Sequence, residues 1–217
     1  MPMTDAETVT VHLADWFHAD PTLGVTSIDR DLTIRFVNRR ALGLFLGREA
    51  PLNGGERLSD LFPEDWVRDR ADVIERALRE RQPIVLRSIN RGKRVQSTFH
   101  PVSDNGDAPD RVLVFSTPCQ GDIEETSFPV VEARVVDLGE LSRLTQRELE
   151  VLAYVGQGLR REAIAEALHR SPKTIDHHLA SLSGKLRVNS RGRLVAIALE
   201  AGLKPEHAHA PRTKKSS

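Results

Sequence analysis

The chain has 217 residues, of which 39% are apolar and 29% charged, with 31 basic and 31 acidic side chains. This composition is typical of one or two globular domains and is too apolar for an intrinsically disordered chain. No run of 18 apolar residues offers a membrane span, and the acidic N-terminus lacks the basic start of a secretory signal. The one cysteine, Cys119, excludes an internal disulfide and a paired-cysteine metal site. We therefore expect a cytoplasmic protein.

Charge is divided unevenly along the chain. Residues 1–140 carry 24 acidic and 17 basic side chains, whereas residues 141–217 carry 7 acidic and 14 basic ones. This asymmetry indicates that the C-terminal part meets a polyanion, although a merely solvated basic face would have the same charge. Residues 119–140 are acidic with proline and glycine nearby, which favours a linker, and residues 205–217 are interpreted as a basic flexible tail.

The N-terminal part begins with a predicted helix and a predicted hairpin. Residues 1–19 carry Leu13 and Trp16 at helical spacing. Residues 25–28 and 32–37 are short strand-like runs, and the Asp-Arg-Asp sequence between them is typical of a turn. We therefore expect a β-hairpin after an N-terminal helix.

Helices and three further strands follow the hairpin. Asn38 is a predicted N-cap for a short helix that ends before Gly47. A short element over 58–62 and a longer helix over 65–82 come next. The remaining strands are predicted over 84–90, 94–102 and 111–117. This order indicates an α+β domain with an antiparallel sheet.

The same order of elements resembles a PAS domain over residues 20–118. The matching positions are Asp29, Val37-Asn38, Gly47, Leu61-Phe62-Pro63, Ala77-Leu78, Pro83 and His100-Pro101. The resemblance implies an antiparallel sheet packed against helices, often around a small pocket, and a role in sensing, dimerisation or both. The aromatic residues that would line such a pocket are Phe36, Phe45, Phe62, Trp66 and Phe99.

The PAS resemblance also bears on cofactors. A flavin photosensor of this family would carry a reactive cysteine early in the helical region, whereas Cys119 follows the last predicted strand. Haem-binding members usually place a histidine on the long helix, and residues 65–82 contain none. His100 lies on a predicted strand, where a lone histidine is more often hydrogen-bonded than a ligand. We expect no tightly bound cofactor, and a small-molecule ligand and a protein partner both remain open.

Four short helices are predicted over residues 141–204. Thr145 and Glu148 form a capping box at the start of the first helix, and Gly156 marks its end. The second helix runs over about 161–169, with apolar residues on one face. These signals indicate an all-α domain.

The third and fourth predicted helices complete this segment. Ser171 is the expected N-cap of the third helix and Pro172 its first helical residue. Its apolar positions are Ile175, Leu179, Leu182 and Leu186. A fourth helix begins near Ser190. Because only two residues separate the second and third helices, the layout is that of a helix-turn-helix, whose second helix enters the DNA major groove.

The motifs of this segment resemble the LuxR-type (NarL/FixJ-like) helix-turn-helix domain. They are the run 144–152, then Gly158-Leu159, Ile164-Ala165, Leu168, Ser171, Thr174-Ile175, His178, Lys185-Leu186, Val188 and Ser190-Arg191. The resemblance implies a dimeric domain that binds double-stranded DNA and regulates transcription. The implied DNA-contacting residues are Ser171, Lys173, Thr174, Asp176, His177, His178, Ala180, Ser181, Lys185, Arg187 and Arg191. The implied dimerisation residues are Leu194, Ile197 and Ala198.

Three positions depart from the family's pattern, and one of them is Ala163, which stands where relatives usually carry glutamate at the start of the second helix. Arg160 stands where relatives usually have a small polar N-cap, which predicts weak capping of the second helix. Asp176 stands where many relatives carry lysine. A carboxylate near phosphates is unfavourable unless it accepts from a cytosine amino group or pairs with a neighbouring side chain.

Two alternatives to a DNA-binding sensor were weighed against these residues. One is a response regulator with a divergent receiver domain, but no apolar strand ends in an aspartate followed by Met-Pro. The other is a protein-interaction adaptor whose helical part touches no DNA. His177 and His178 are a poor metal-chelating pair, because adjacent helical residues point about 100° apart. No motif places a nucleophile beside a base or builds a glycine-rich phosphate loop, so we expect no catalysis.

Overall fold

The computed structural model describes residues 22–48, 52, 54–103, 108–119 and 126–213. The predicted helix over 1–19 lies outside these residues. The chain clusters into two compact units. The N-terminal unit holds the described parts of Met1–Leu86 and of Gln96–Thr117, together with Thr126–Val131. The C-terminal unit holds Arg87–Val95 and the described parts of Pro118–Glu125 and Glu132–Ser217.

A six-stranded sheet organises the N-terminal part of the sequence. Its strands are β1 (Gly24–Asp29), β2 (Ile34–Val37), β3 (Ile84–Asn90), β4 (Lys93–Val102), β5 (Arg111–Pro118) and β6 (Val130–Glu132). They lie in the order β2-β1-β5-β4-β3-β6. Thr26 pairs antiparallel with Val37 of β2 and with Val114 of β5. The predicted hairpin is confirmed, and β6 is a strand that the sequence pattern did not indicate.

Within the described residues, the N-terminal unit contains three helices. They are α1 (Arg39–Phe45), α2 (Leu58–Leu61) and α3 (Glu64–Glu80). The predicted N-cap is confirmed, because the Asn38 side chain accepts a hydrogen bond from the Ala41 amide at 2.9 Å. The same oxygen accepts from the Val25 amide at 3.0 Å, so one buried amide side chain joins α1 to β1. On its buried face α3 carries Val73, Ile74, Ala77 and Leu78, at most 4% exposed.

The C-terminal unit is built mainly from short helices. They are the 3₁₀ helix η1 (Gly139–Arg143), α4 (Gln146–Gly156), α5 (Arg161–Ala167), α6 (Pro172–Leu186), α7 (Arg191–Glu200) and the 3₁₀ helix η2 (Pro205–Ala208). The centre of its core is fully buried and consists of Leu149, Leu152, Ile164, Ile175 and Leu182. On α4 and α6 these residues recur at helical spacing, so each of the two helices has an apolar face toward the core, and Ile164 adds the contribution of α5.

Two segments predicted as linker and tail are packed parts of this unit. Val136 and Leu138 are each 1% exposed in the core, and the Asp137 amide donates to the Ile89 carbonyl at 2.9 Å. In the segment predicted as a tail, Ala208 is 3% exposed and the Thr213 amide donates to the Val136 carbonyl at 3.1 Å. The described part of 205–217 is therefore packed, which corrects the prediction that it is flexible. The part of 119–140 from Glu132 onward packs in the C-terminal unit through its valines.

Candidate nucleic-acid interface

A tight turn joins α5 to α6. His169 has a left-handed backbone with φ of 50°, and the Arg170 amide donates to the Ala165 carbonyl at 2.8 Å. The Ser171 hydroxyl then accepts from the Thr174 amide at 3.2 Å, which caps α6, and Pro172 occupies its first turn. The predicted helix-turn-helix is therefore present, with its second helix begun by a side-chain cap.

One face of α6 is buried and the opposite face is exposed. Ile175 and Leu182 are fully buried and Leu179 and Leu186 are half-buried. The exposed stripe consists of Lys173, Asp176, His177, Ala180 and Gly184. These residues recur at spacings of three and four, so they lie on one side of the helix, where they are accessible to a ligand.

The other predicted DNA contacts differ in accessibility. Ser171, Ser181, Arg187 and Arg191 are exposed, whereas Thr174, His178 and Lys185 are half-buried. The Arg191 guanidinium donates to the Leu159 carbonyl. The Ser171 hydroxyl lies 2.9 Å from that of Thr174, so the two side chains already hydrogen-bond to each other at the N-terminus of α6.

Ser181 and Lys185 are held by a buried carboxylate. Glu148 is 3% exposed and accepts from Ser181 Oγ at 2.6 Å and from Lys185 Nζ at 2.7 Å. It also accepts from the Thr145 amide at 2.7 Å, which confirms the predicted capping box. These two predicted DNA-contacting residues therefore stabilise the domain through hydrogen bonds that DNA would have to replace.

The hydrogen bonds to Glu148 also set its protonation state. Burial raises the pKa of this carboxyl, but the bonds from Lys185, Ser181 and Thr145 outweigh burial and lower the pKa from 4.5 to about 2. The carboxylate is therefore charged at neutral pH, and it is the anionic partner that Lys185 needs. The capping pattern revealed only the contact with Thr145, which lies three residues away.

Asp176 pairs with an arginine that sequence reasoning did not single out. Arg161 Nη1 donates to the two carboxylate oxygens of Asp176 at 3.1 and 3.4 Å. The same guanidinium donates from Nε and Nη2 to one oxygen of Glu162, at 3.0 and 2.8 Å. One guanidinium on α5 thus serves two carboxylates, one of them on the exposed stripe of α6. Local sequence patterns hold no signal for this pair, because the partners are fifteen residues apart.

The predicted weak capping of α5 is confirmed. Arg160 is the N-cap residue, with an extended backbone and no side-chain hydrogen bond to the first turn. Both Arg160 and Arg161 are exposed at this helix start. Of the two, Arg161 contacts the exposed stripe of α6 through Asp176.

Two of the three predicted dimerisation residues are core residues instead. Leu194 and Ala198 are each 2% exposed, and Ile197 is half-buried. A Cβ on Gly156 would lie 2.6 Å from the Ala198 Cβ, so α7 packs closely against the end of α4. The large apolar side chain that α7 leaves exposed is Leu199, which is 52% exposed. Apolar periodicity could not separate the face toward the core from a face toward a partner.

Three of the five predicted pocket residues lie together in the N-terminal unit. The rings of Phe62 and Trp66 stack with centroids 3.9 Å apart, and Phe45 meets Trp66 edge-on at 6.3 Å. The Arg70 guanidinium lies 4.3 Å from the Trp66 ring centroid. Phe36 lies on β2, and Phe99 lies on β4 with 4% exposure. The three rings fill space against each other, and their use as a ligand pocket stays a prediction.

The described residues offer neither a metal site nor a membrane-spanning helix. Within the described ranges, no three His, Cys, Asp or Glu side chains are grouped so that they could hold a metal ion. No helix in the described part of the chain is both long and apolar enough to cross a bilayer.

Comparison with known families assigns both parts of the chain. Residues 142–198 match the profile of "Bacterial regulatory proteins, luxR family". This segment is a luxR-family domain. Residues 21–120 match the profile of the "PAS fold", so the chain joins a PAS domain to a luxR-family domain. The predicted combination of an α+β PAS domain and an all-α helix-turn-helix domain is confirmed.

Individual relatives match part of the chain. The transcriptional activator protein ExaE of Pseudomonas putida is 44% identical over 63 residues, which cover 29% of each chain. The transcriptional regulatory protein FixJ of Rhizobium meliloti is 38% identical over 89 residues, covering 38% of this chain and 44% of FixJ. The chain therefore spans less than half the length of these relatives.

Two solved structures are similar over most of the chain. The Vibrio cholera VqmA–ligand–DNA complex is 18% identical, with 90% of each chain covered and a TM-score of 0.47. The phage VqmA–DPO complex is 17% identical, with 91% of each chain covered and a TM-score of 0.46.

Proposed function

We propose that this protein is a sequence-specific transcriptional regulator that binds double-stranded DNA through α6 and responds through its PAS domain. The observation that carries the proposal is the exposed stripe of α6, on a helix-turn-helix of a luxR-family domain. In this layout the N-terminal part of the second helix reads base edges in the major groove. Here that part presents Lys173, Asp176 and His177.

Cations flank the stripe where DNA phosphates would pass. The exposed basic residues near α6 are Arg160, Arg161, Arg170, Lys173, Arg187, Arg191 and Arg193. Phosphate contacts position a protein on DNA, whereas contacts with base edges select the sequence. We assign Lys173 and the flanking arginines other than Arg161, which pairs with Asp176, to phosphates, and Asp176 and His177 to bases.

The regulator acts as a homodimer in this proposal. The exposed Leu199 on α7 is the dimer contact in place of the buried Leu194 and Ala198. Replacing Leu199 with aspartate should shift the sedimenting species toward monomer, because a charge would be buried at the contact. An unchanged dimer would place the contact elsewhere, and the PAS domain is then the dimerising part.

Salt dependence of DNA binding tests the proposal. Fluorescence anisotropy of the full chain with duplexes of mixed sequence should show affinity falling as salt rises, with a slope of about −0.9 per phosphate contact. Lys173→Ala should reduce this slope by about one, while His177→Ala should change the sequence preference. Arg79→Ala removes an exposed cation from α3 and is the matched control. No binding at low salt would favour the protein-interaction adaptor.

Native mass spectrometry tests the PAS domain's part. A retained small molecule that is lost on denaturation would assign sensing to this domain. A bare dimer would assign dimerisation or docking of a protein partner to it, which leaves the DNA-binding proposal unchanged.

A further inference from the structure

The chemistry of one carboxylate on the exposed stripe points to the base that it reads. Asp176 is the one acidic residue of α6, and its side chain is 50% exposed on the fifth residue of the helix. It stands between Lys173 and His177, which the proposed function places against phosphate and base. An acidic group there is repelled by phosphates, so its presence calls for a positive or hydrogen-bond-donating partner.

Arg161 supplies one positive, hydrogen-bond-donating partner for Asp176, and a ligand can supply another. Its Nη1 donates to Asp176 at 3.1 Å, but its other two contacts go to Glu162 at 2.8 and 3.0 Å. Two carboxylates therefore share one guanidinium, and the group as a whole carries a net negative charge. A carboxylate offers about four lone-pair sites, so those of Asp176 that Arg161 does not use remain able to accept a hydrogen bond.

The four bases differ in the hydrogen-bond donors that they present to a carboxylate in the major groove. In the major groove cytosine presents an amino donor, whereas guanine and thymine present acceptor oxygens, which a carboxylate repels. Adenine has an amino donor beside the acceptor N7, so a carboxylate meets one favourable and one unfavourable group. A half-exposed carboxylate held at the start of a recognition helix thus favours cytosine over the other three bases.

We infer that Asp176, oriented by the Arg161 guanidinium, accepts a hydrogen bond from the amino group of a cytosine in each half-site and selects that base. Arg161 is a positioning residue: it holds the carboxylate toward the groove and offsets part of its repulsion from the phosphates. The inference rests on the proposed DNA binding through α6.

Selection from a random duplex pool tests the inference. The full-length wild-type chain and Asp176→Ala are each used to enrich sequences at low salt, and the position at which their preferences differ is identified. Anisotropy with four duplexes that differ only there should show the wild type preferring cytosine by about 5- to 100-fold, the range of one direct contact with a base edge. Asp176→Ala should keep less than about a twofold preference.

Conservative variants distinguish a hydrogen bond between Asp176 and a base from simple repulsion between Asp176 and the phosphates. Asp176→Asn should shift the preference toward adenine, because an amide can both donate and accept on that edge. Arg161→Gln should weaken the cytosine preference, whereas Arg160→Gln, its exposed neighbour, should lower the affinity for all four duplexes equally. Glu166→Gln removes an exposed carboxylate from α5 and should change neither the affinity nor the preference.

The outcomes distinguish this inference from the proposed function. If Asp176→Ala binds all four duplexes more tightly by one common factor with every preference intact, Asp176 acts on phosphates alone and the inference is wrong. A wild-type preference for guanine or thymine at that position overturns it as well. If no duplex is enriched by any variant at low salt, DNA binding itself is overturned.

Discussion

The two lysines of α6 lie in different surroundings although one helix carries both. Lys173 is exposed in the first turn, whereas Lys185 lies near the end with its ammonium 2.7 Å from the buried Glu148 carboxylate. Sequence position and charge assign both to DNA, yet one completes the fold and the other is accessible to a ligand. A basic count over a recognition helix therefore overstates the number of charges available to phosphates.

Removing the buried carboxylate should have the greatest effect on stability. Glu148→Gln should lower the free energy of unfolding by about 3 kcal/mol, since it leaves Lys185 without its anion and weakens the cap at Thr145. Urea denaturation of the full chain measures the loss. Glu166→Gln, an exposed carboxylate on α5, should change stability by less than about 0.5 kcal/mol. Equal small effects would mean that Lys185 gains little from Glu148.

The titration of the Glu148 carboxylate should also make the stability of the protein depend on pH. Its pKa is about 2 in the folded protein against a usual value of 4.5. Because the folded pKa is lowered, the stabilisation is fully present above about pH 4.5 and is lost as the pH falls toward 2. The wild type should therefore lose more stability than Glu148→Gln over this interval in urea titrations. Parallel curves for the two proteins would contradict the assignment.

A glycine inside the domain should not tolerate a methyl group. Gly156→Ala should cost about 1–3 kcal/mol, because the new Cβ would lie 2.6 Å from that of Ala198 and α7 would have to move. Thermal unfolding followed by circular dichroism measures the change. A variant as stable as the wild type would show that α7 shifts without loss of packing.

Alanine variants of the two lysines should differ in their effects on stability and on DNA binding. Lys185→Ala should lower stability by about 1–2 kcal/mol, since its side chain is partly exposed and the other donors to Glu148 remain. Lys173→Ala should stay within about 0.5 kcal/mol of the wild type while it weakens DNA binding. If Lys185→Ala leaves stability unchanged and reduces the salt slope as much as Lys173→Ala, both lysines contact phosphates.

A glycine on the exposed stripe should behave in the opposite way to Gly156. Nothing lies within 4 Å of a Cβ built on Gly184, and glycine in a helix is less favourable than alanine. Gly184→Ala should therefore raise the free energy of unfolding by about 0.5–1 kcal/mol. Denaturant midpoints for the pair of variants check the contrast. A loss of stability would reveal a contact on this face.

Local patterns predicted most elements but misassigned segments judged by composition. The Asn38 cap and the Thr145 capping box depend on atoms within three residues, and both are present. The segment over 119–140 was expected to be a linker because it is acidic and has proline and glycine nearby, yet Val135 and Val136 are buried. Burial depends on which surface a segment meets, and composition does not contain that information.

The sequence predicted which residues of the candidate interface are exposed, but it did not predict their hydrogen-bond partners. Lys173, Asp176 and His177 are accessible as the family pattern implied. The partners of Ser181, Lys185 and Asp176 are fifteen or more residues distant in sequence. Such contacts arise only when helices pack, so they have no signature in spacing or charge.

The sequence by itself determined most of the helices and strands of the two domains, because caps, turns and apolar periodicity act over a few residues. It also determined the family of each domain and the exposed stripe of α6. Only the tertiary structure decided that Glu148 holds Lys185, that Arg161 holds Asp176 and that Leu194 faces the core. Those outcomes depend on which helices are brought within hydrogen-bonding and packing distance, and packing joins residues that the chain keeps far apart.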